Sequence, residues 1–381
     1  MITPDILAAL PSPCWLLEED KLEKNLQILK HIKDSTGVKI LLALKGYALW
    51  HSFDLIGKYL DGCCASGVHE AMLSDREFGK ETHTYSPAYK EQDIAVIAFI
   101  SKHIIFNSIE QLNRFLSKAK EANSDISIGL RVNPEYSKAP KEIYNPCAPY
   151  SRLGITIDNF DESALEFIDG LHLHALCEES ADALKTVLEI FEEKFGKYLD
   201  QIKWVNFGGG HHITKLGYDT QKLISIIKHF NSKYPHLEVY LEPGEAVGWE
   251  CGVLVATVLD IVHNGIDIAI LDTSAEAHMP DTIIMPYRAE VRGAREAGIK
   301  PHTYRLTGNT CLAGDIMGDY SFDEPLQVGD KIIFEDQMHY SMVKATTFNG
   351  IPLPSIATLQ KDGSVDIIRK FRYKDFKDRL G

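Results

Sequence analysis

The sequence predicts an α/β domain joined to an all-β one: a (β/α)8 barrel of the TIM type over residues 20–245, then a C-terminal β-sandwich or β-barrel over 246–381 that also takes in residues 1–19. Three observations lead there. Short apolar runs alternate with helical spacing through eight rounds before residue 245, the rhythm of a parallel barrel. Polar side chains fit for chemistry fall at the carboxyl ends of those runs, where such barrels build their reactive face. After Glu242 the helical period stops, and segments of alternating polarity separated by Gly and Asp turns replace it.

Taken in order, SPCWLL at 12–17 reads as a strand, and 19–34 carries helical spacing through Leu22, Leu26 and Leu29. The barrel opens with VKILLALKGYAL, Val38 to Leu49, whose unbroken apolar run suits a strand buried on both faces. Strands follow at 62–66, 81–86, 103–108, 126–132, 170–176, 203–208 and 237–242. Helical patterns lie between most of them: SFDLIGKYL, GVHEAMLSDREFG, EQDIAVIAFI, IEQLNRFLSKAKEA, DESALEFI, ALKTVLEIFEEKFGKYL and KLISIIKHF. The stretch Asn133 to Gly154, rich in Pro and Tyr, has the composition of a lid or partner contact. In the second domain GVLVATVLDIV, DIAILD, HTYRLTG, DKIIFED and YSMVKATTF read as strands.

At 381 residues the chain exceeds one ordinary core, in keeping with two domains, and 45% hydrophobic with 25% charged residues is the composition of a soluble globular protein. Forty basic against 54 acidic residues give a net charge of −14 and no basic block, so nucleic acid and anionic membrane are poor partners. A cationic small molecule would be drawn in. No apolar run is long enough to span a bilayer, and the N-terminus lacks a basic region before a long apolar one, so a cytoplasmic protein is expected. Seven scattered cysteines without paired spacing argue against a disulfide framework or a structural zinc site.

The strand ends present Lys45, Ser66, Tyr85 with Ser86, Asn107 with Ser108, Arg131 with Asn133, His174, Gly208 to Gly210, and Glu242. A lysine at the mouth of a core has a lowered pKa and is a fit imine-forming nucleophile, though a lysine snorkelling from a strand end looks the same. Three glycines after a strand let successive backbone amides close around an anion such as phosphate; a tight turn is the plainer alternative. Glu242 suits a heterocyclic nitrogen that must stay protonated, or else a structural ion pair. His172 and His174 alternate along one strand and so face opposite ways: His174 is placed to stack on a flat cofactor, and His172 reads as a core histidine bonded to the backbone. An H-x-H pair also occurs at metal sites, but no matching carboxylate set appears, and a metal explains neither the lysine nor the glycines. Pyridoxal 5'-phosphate accounts for all four features together.

The segments LALKGYAL, CASGVHEA, NSIEQL, LRVNP, SRLGI, HLHALCE, NFGGGHH, EPGEA, GNTCLAGD and HYSMVKATTFNG, in order over nearly the whole chain, resemble the pyridoxal-phosphate decarboxylases of the alanine racemase-like fold. Within that group they look most like the carboxynorspermidine (carboxyspermidine) decarboxylases. The resemblance implies that Lys45 forms the imine with the cofactor and that His174 stacks on its ring. It implies that Glu242 meets the ring nitrogen, that Arg131 lies near the ring hydroxyl with Ser66 also at the cofactor, and that Gly208, Gly209, Gly210 and Tyr340 hold the phosphate. Cys311 is implied as the proton donor after carbon dioxide leaves, acting in the partner subunit's site of a homodimer.

Three departures from the wider relatives bear on substrate. Their E-P-G-R motif has Glu245 in place of arginine here, which repels phosphate or carboxylate and attracts an amine. Ala175-Leu176-Cys177 replaces small residues and a serine, and Leu312 stands where an acid usually follows the cysteine. Glu276, His278, Asp281 and Asp315, with Glu245, are candidates for a substrate's distal amine, or simply shape turns. The expected activity is decarboxylation of carboxynorspermidine or carboxyspermidine, in polyamine biosynthesis. Diaminopimelate or another basic amino acid is the alternative substrate. A non-catalytic polyamine- or cofactor-binding regulator and a metal-dependent barrel hydrolase are the alternatives of other classes.

Overall fold

A computed structural model describes residues 2–139 and 141–381, so Pro140, inside the stretch 133–154, and Met1 lie outside the described residues. The chain divides into two compact units, Asn25–Val247 and a second formed by Met1–Lys24 with Gly248–Gly381. The first strand, β1 (Cys14–Glu18), belongs to the second unit.

Unit Asn25–Val247 is a closed barrel of eight parallel strands: β2 (Lys39–Ala43), β3 (Gly62–Ala65), β4 (Glu81–Tyr85), β5 (His103–Phe106), β6 (Ser127–Val132), β7 (Gly170–Leu173), β8 (Trp204–Asn206) and β9 (Glu238–Leu241). β2 pairs with β3 at Leu41↔Gly62 and with β9 at Ile40↔Leu241, which closes the ring. The apolar runs of the sequence are the cause: β5 is buried at every position and β2 at all but Lys39, as strands walled on both faces must be.

The surrounding helices follow their periodicity. Ile109–Ala122 turns Leu112, Phe115 and Ala119 inward, and Ser108 starts it by accepting the Gln111 N–H at 3.2 Å. Ser108 is therefore a helix cap rather than a mouth residue. Among the described residues between β6 and β7 no α-helix forms; DESALEFI holds a 3-10 segment, Glu162–Glu166, opened by Asp161 accepting from Ser163 N–H. That Asx turn competes with helix initiation over a stretch too short to recover it.

In the second unit β1 is joined by β10 (Gly252–His263), β11 (Asp267–Leu271), β12 (Arg295–Glu296), β13 (His302–Thr307), β14 (Ile316–Phe322), β15 (Lys331–Phe334), β16 (Ser355–Leu359) and β17 (Val365–Arg369). They form one connected nine-stranded sheet, ordered β12-β14-β13-β11-β10-β1-β16-β17, with β15 also on β10. Cys14, Leu16, Val253, Val255, Ile333, Ala357 and Leu359 make its core. YSMVKATTF is not a strand as its alternation suggests: Tyr340–Val343 is a short helix, set by Ser341 Oγ donating to Gln337 Oε1 at 2.6 Å. β14 does not read as a strand in the sequence, because Gly318 and Asp319, both poor strand formers, stand within it.

Candidate active site

The barrel gathers side chains from distant parts of the chain at the carboxyl ends of its strands. Lys45 follows β2 on a turn in which Gly46 N–H donates to Ala43 O at 3.0 Å. A Cβ on Gly46 would lie 2.9 Å from Glu245 N and 3.1 Å from Gly244 Cα, so only glycine lets this turn pack on the one that carries Glu242 to Glu245. Lys45 Nζ comes within 3.2 Å of His174 Nε2. His174 lies one residue past β7, and its Nδ1 accepts the Gly209 N–H at 3.1 Å.

This network assigns the protons. An accepting Nδ1 leaves the proton of a neutral imidazole on Nε2, which points it at Nζ, and only a neutral amine accepts it. The surroundings agree in sign: burial pushes the Lys45 pKa below 10.5, the Arg131 guanidinium adds to this, and Cys64 and Glu242 oppose it. Water reaches the exposed lysine side chain and tempers the shift. Burial, then Lys45 and Arg131, hold His174 well below 6.5, so the ring is neutral. A free-base lysine is the form that attacks a carbonyl.

A second group forms around Glu242. Its Oε1 accepts from Asn206 Nδ2 at 2.7 Å and its Oε2 from His172 Nε2 at 3.2 Å. Burial alone would raise the Glu242 carboxyl, but attraction to His172 and the hydrogen bonds from His172 and Asn206 outweigh it, so it stays well below the usual carboxylate range. Burial lowers His172, which acts as a neutral donor. His172 is thus not bonded to the backbone as expected. Nor do the two histidines face opposite ways: residues two apart along a strand share a face, so both rings turn to the mouth and the expectation of opposite faces is corrected.

The expectation of three free glycine amides is corrected. Gly208 N–H donates to Asn206 Oδ1 at 2.8 Å and Gly209 N–H to His174 Nδ1; among the described residues Gly210 N–H makes no such bond. The glycines are also required by packing. A Cβ would lie 2.7 Å from Leu173 O at Gly208, 2.1 Å from Glu242 O at Gly209 and 2.0 Å from Leu176 O at Gly210. Arg131 is buried, donates from Nη2 to His174 O at 3.1 Å and stacks 4.7 Å over the Tyr85 ring, while Tyr85 OH donates to Asn107 Oδ1 at 2.7 Å. Ser66 is exposed, its N–H donating to Glu70 Oε2 at 2.6 Å, and Glu245 lies 3.5 Å from His212.

The family model for the pyridoxal-dependent decarboxylase, C-terminal sheet domain, matches residues 83–337. The chain belongs to the pyridoxal-dependent decarboxylases. It is 55% identical to a carboxynorspermidine/carboxyspermidine decarboxylase of Campylobacter jejuni, over 97% of this chain and 98% of that one. It is 46% identical to a carboxyaminopropylagmatine decarboxylase of Synechocystis, over 98% of this chain and 97% of that one. The crystal structure of a Campylobacter jejuni carboxynorspermidine decarboxylase complexed with norspermidine matches with a TM-score of 0.91 and 52% identity, over 97% of this chain and all of that one. The cofactor of this decarboxylase is accordingly pyridoxal phosphate.

In the decarboxylase's β unit, Cys311 is exposed and its N–H donates to Asn349 Oδ1 at 2.6 Å. Asp315, nearly buried, clamps the same loop, accepting from Thr310 Oγ1 at 2.6 Å and Ala275 N–H at 2.7 Å. Asp281 binds Lys344 at 2.6 Å, and buried His278 meets Thr273 Oγ1 at 2.9 Å. Three of the residues expected to meet a substrate amine are therefore engaged in shaping their own unit. Burial, then Asp315, raises the Glu276 carboxyl, whose Oε2 is buried without a hydrogen bond. Tyr340 is half-buried, with Lys344 Nζ 5.3 Å over its ring. Asn206 and Asn349 were passed over in the sequence; the only signal was a polar residue ending an otherwise apolar strand in WVNF and an asparagine before glycine in TFNG.

Proposed function

We propose that this decarboxylase removes carbon dioxide from carboxynorspermidine or carboxyspermidine, giving norspermidine or spermidine. The observation that carries the reading is the free-base lysine: Lys45 Nζ accepts from a histidine whose other nitrogen is already spent on Gly209. The full-length likeness to relatives named for these substrates supports the choice of substrate. The donor set fits the cofactor: a neutral amine for its aldehyde, an ionised acid for its ring nitrogen and the Gly210 amide for its phosphate.

When bound, pyridoxal phosphate supplies an aldehyde for a substrate amine and a ring that takes up the electron pair left when carbon dioxide departs. Lys45, as a neutral amine, would hold the group by its aldehyde. Glu242 would keep a proton on the ring nitrogen, and His174, fixed by Gly209 and Arg131, would lie against the ring. Gly210 and Ser66 would hold the phosphate, with Gly208 and Gly209 shaping the turn. Cys311, exposed in the β unit, would supply a proton to the substrate carbon in the partner subunit's site of a homodimer. Glu245 would meet an amine of the substrate; Glu276 is the acid that the β unit offers for such a group. Among the described residues no helix is long and apolar enough to cross a membrane, and seven free cysteines suit the reducing cytosol.

A guanidine-tailed substrate is the second reading, favoured by the Synechocystis relative. Carbon dioxide release with carboxynorspermidine, carboxyspermidine, carboxyaminopropylagmatine and diaminopimelate decides. The first two should lead, differing from each other by about 10- to 200-fold at most, the discrimination one methylene allows. Higher kcat/KM for either of the last two overturns the assignment.

A further inference from the structure

Asn206 is fully buried at the end of β8, and both ends of its amide are spent. Nδ2 donates to Glu242 Oε1 at 2.7 Å, and Oδ1 accepts the Gly208 N–H at 2.8 Å. The assignment of oxygen and nitrogen is unique, because a backbone N–H needs an acceptor and an ionised carboxylate needs a donor. One planar group thus spans from the acid to the glycine turn, two features on separate strands. Glu242 N–H also donates to Gly208 O at 2.8 Å, so the two loops are tied twice.

We propose that Asn206 is a positioning residue that couples the acid at the cofactor's ring nitrogen to the glycine turn at its phosphate. This rests on the pyridoxal-phosphate assignment of the site. With His172 on Oε2 and Asn206 on Oε1, each Glu242 oxygen is held by one neutral donor and keeps a lone pair for the ring nitrogen. The same amide sets the conformation of Gly208, whose φ of +69° belongs to the left-handed region, and so fixes the direction of the amides that follow.

The two contacts separate by substitution. Asn206→Asp keeps an oxygen for the Gly208 N–H but sets a second carboxylate against Glu242; Asn206→Leu removes both contacts at similar size. In the holoenzyme, the pH dependence of the cofactor's visible absorbance should shift by one pH unit or more toward higher pH in Asn206→Asp. Its affinity for inorganic phosphate, measured as competition with cofactor rebinding, should stay within about threefold of wild type. Asn206→Leu should weaken cofactor retention about tenfold or more, the loss of one hydrogen bond to a charged group. In a Glu242→Gln background the additional effect of Asn206→Leu on retention should shrink, which loss of general stability would not produce. Circular dichroism confirms that each variant is folded, and Asn206→Ser provides the same comparison if Asn206→Leu is not. An Asn206→Asp titration matching wild type, or undiminished effects in the Glu242→Gln background, overturns the proposal. A wild type without a visible cofactor band overturns the site assignment instead, so the two failures are read from different proteins.

Discussion

At the carboxyl end of the barrel His172 and His174 are held by hydrogen bonds to Glu242 and Gly209; at the amino end His83 and His103 are held by stacking. His83 lies 3.8 Å from His103, His103 lies 4.5 Å from Trp204, and Tyr240 closes the cluster 4.7 Å from His83. Gly129 and Gly170 make the room, since a Cβ at either would come within 2.4 and 2.1 Å of the indole. Trp204 Nε1 donates to Ser127 Oγ at 2.9 Å, so the indole is fixed as well as enclosed. The charges at this end lie around the cluster: Lys39 pairs with Glu81 and Glu238, at 2.9 and 2.6 Å. The same residue type serves as a directional donor or acceptor at one end and chiefly as aromatic packing at the other, where His83 Nε2 also lies 3.4 Å from Glu81 Oε2. Removing a mouth residue should therefore cost chemistry, and removing a floor residue should cost stability.

The largest effect expected is at the mouth. Lys45→Ala should abolish the visible cofactor band and lower kcat by on the order of a thousandfold or more, about 4 kcal/mol of barrier. Its thermal midpoint should change little, because what is lost is a single hydrogen bond, to His174. A coloured, active Lys45→Ala protein would sink the assignment. At the floor, Trp204→Ala leaves a cavity beside two glycines that cannot fill it, and should cost about 3–5 kcal/mol in urea unfolding. Assayed at low temperature, where it remains folded, it should keep kcat near wild type. If Trp204→Ala lost turnover at unchanged stability, the division between the two ends would fail.

This division was only half legible in the sequence. Lys45, His174, Glu242 and the glycines could be named because each ends an apolar run, and a barrel's strand ends are defined by where such runs stop. Residues inside the runs carry no such marker. His83, His103 and Trp204 lie at inward positions that only strand register reveals, and Gly129 and Gly170 look like weak strand residues until the indole is placed against them. Asn206 was hidden for the same reason. Its neighbours Val205 and Phe207 are fully buried, and nothing in WVNF tells whether the asparagine faces the lumen. The β unit's acids misled in the other direction: Asp281 and Asp315 look free in the sequence, but the residues they clamp, Lys344 and Ala275, become neighbours only after folding.

Acid should act on both ends with one sign. Burial holds His83 below 6.5 and His103 and His174 well below it, and it takes His211 to about 4. Each of these rings is neutral in the fold between its own pKa and 6.5, whereas the unfolded chain binds a proton there. Stability therefore falls as pH drops from 6.5, and His211 alone accounts for about 3 kcal/mol by pH 4. His103→Phe tests the floor's share, since phenylalanine keeps the stacking on Trp204 and takes up no proton. Around pH 5 the dependence of unfolding free energy on pH should be shallower than in wild type by about 1.4 kcal/mol per pH unit, one proton fewer bound on unfolding. Urea unfolding at pH 4.5, 5.5 and 7 measures it. Because His103 is far from the groups proposed to bind the cofactor, kcat should be retained. An unchanged slope would mean that His103 is already protonated in the fold, and the floor would then be a polar site rather than a packed one.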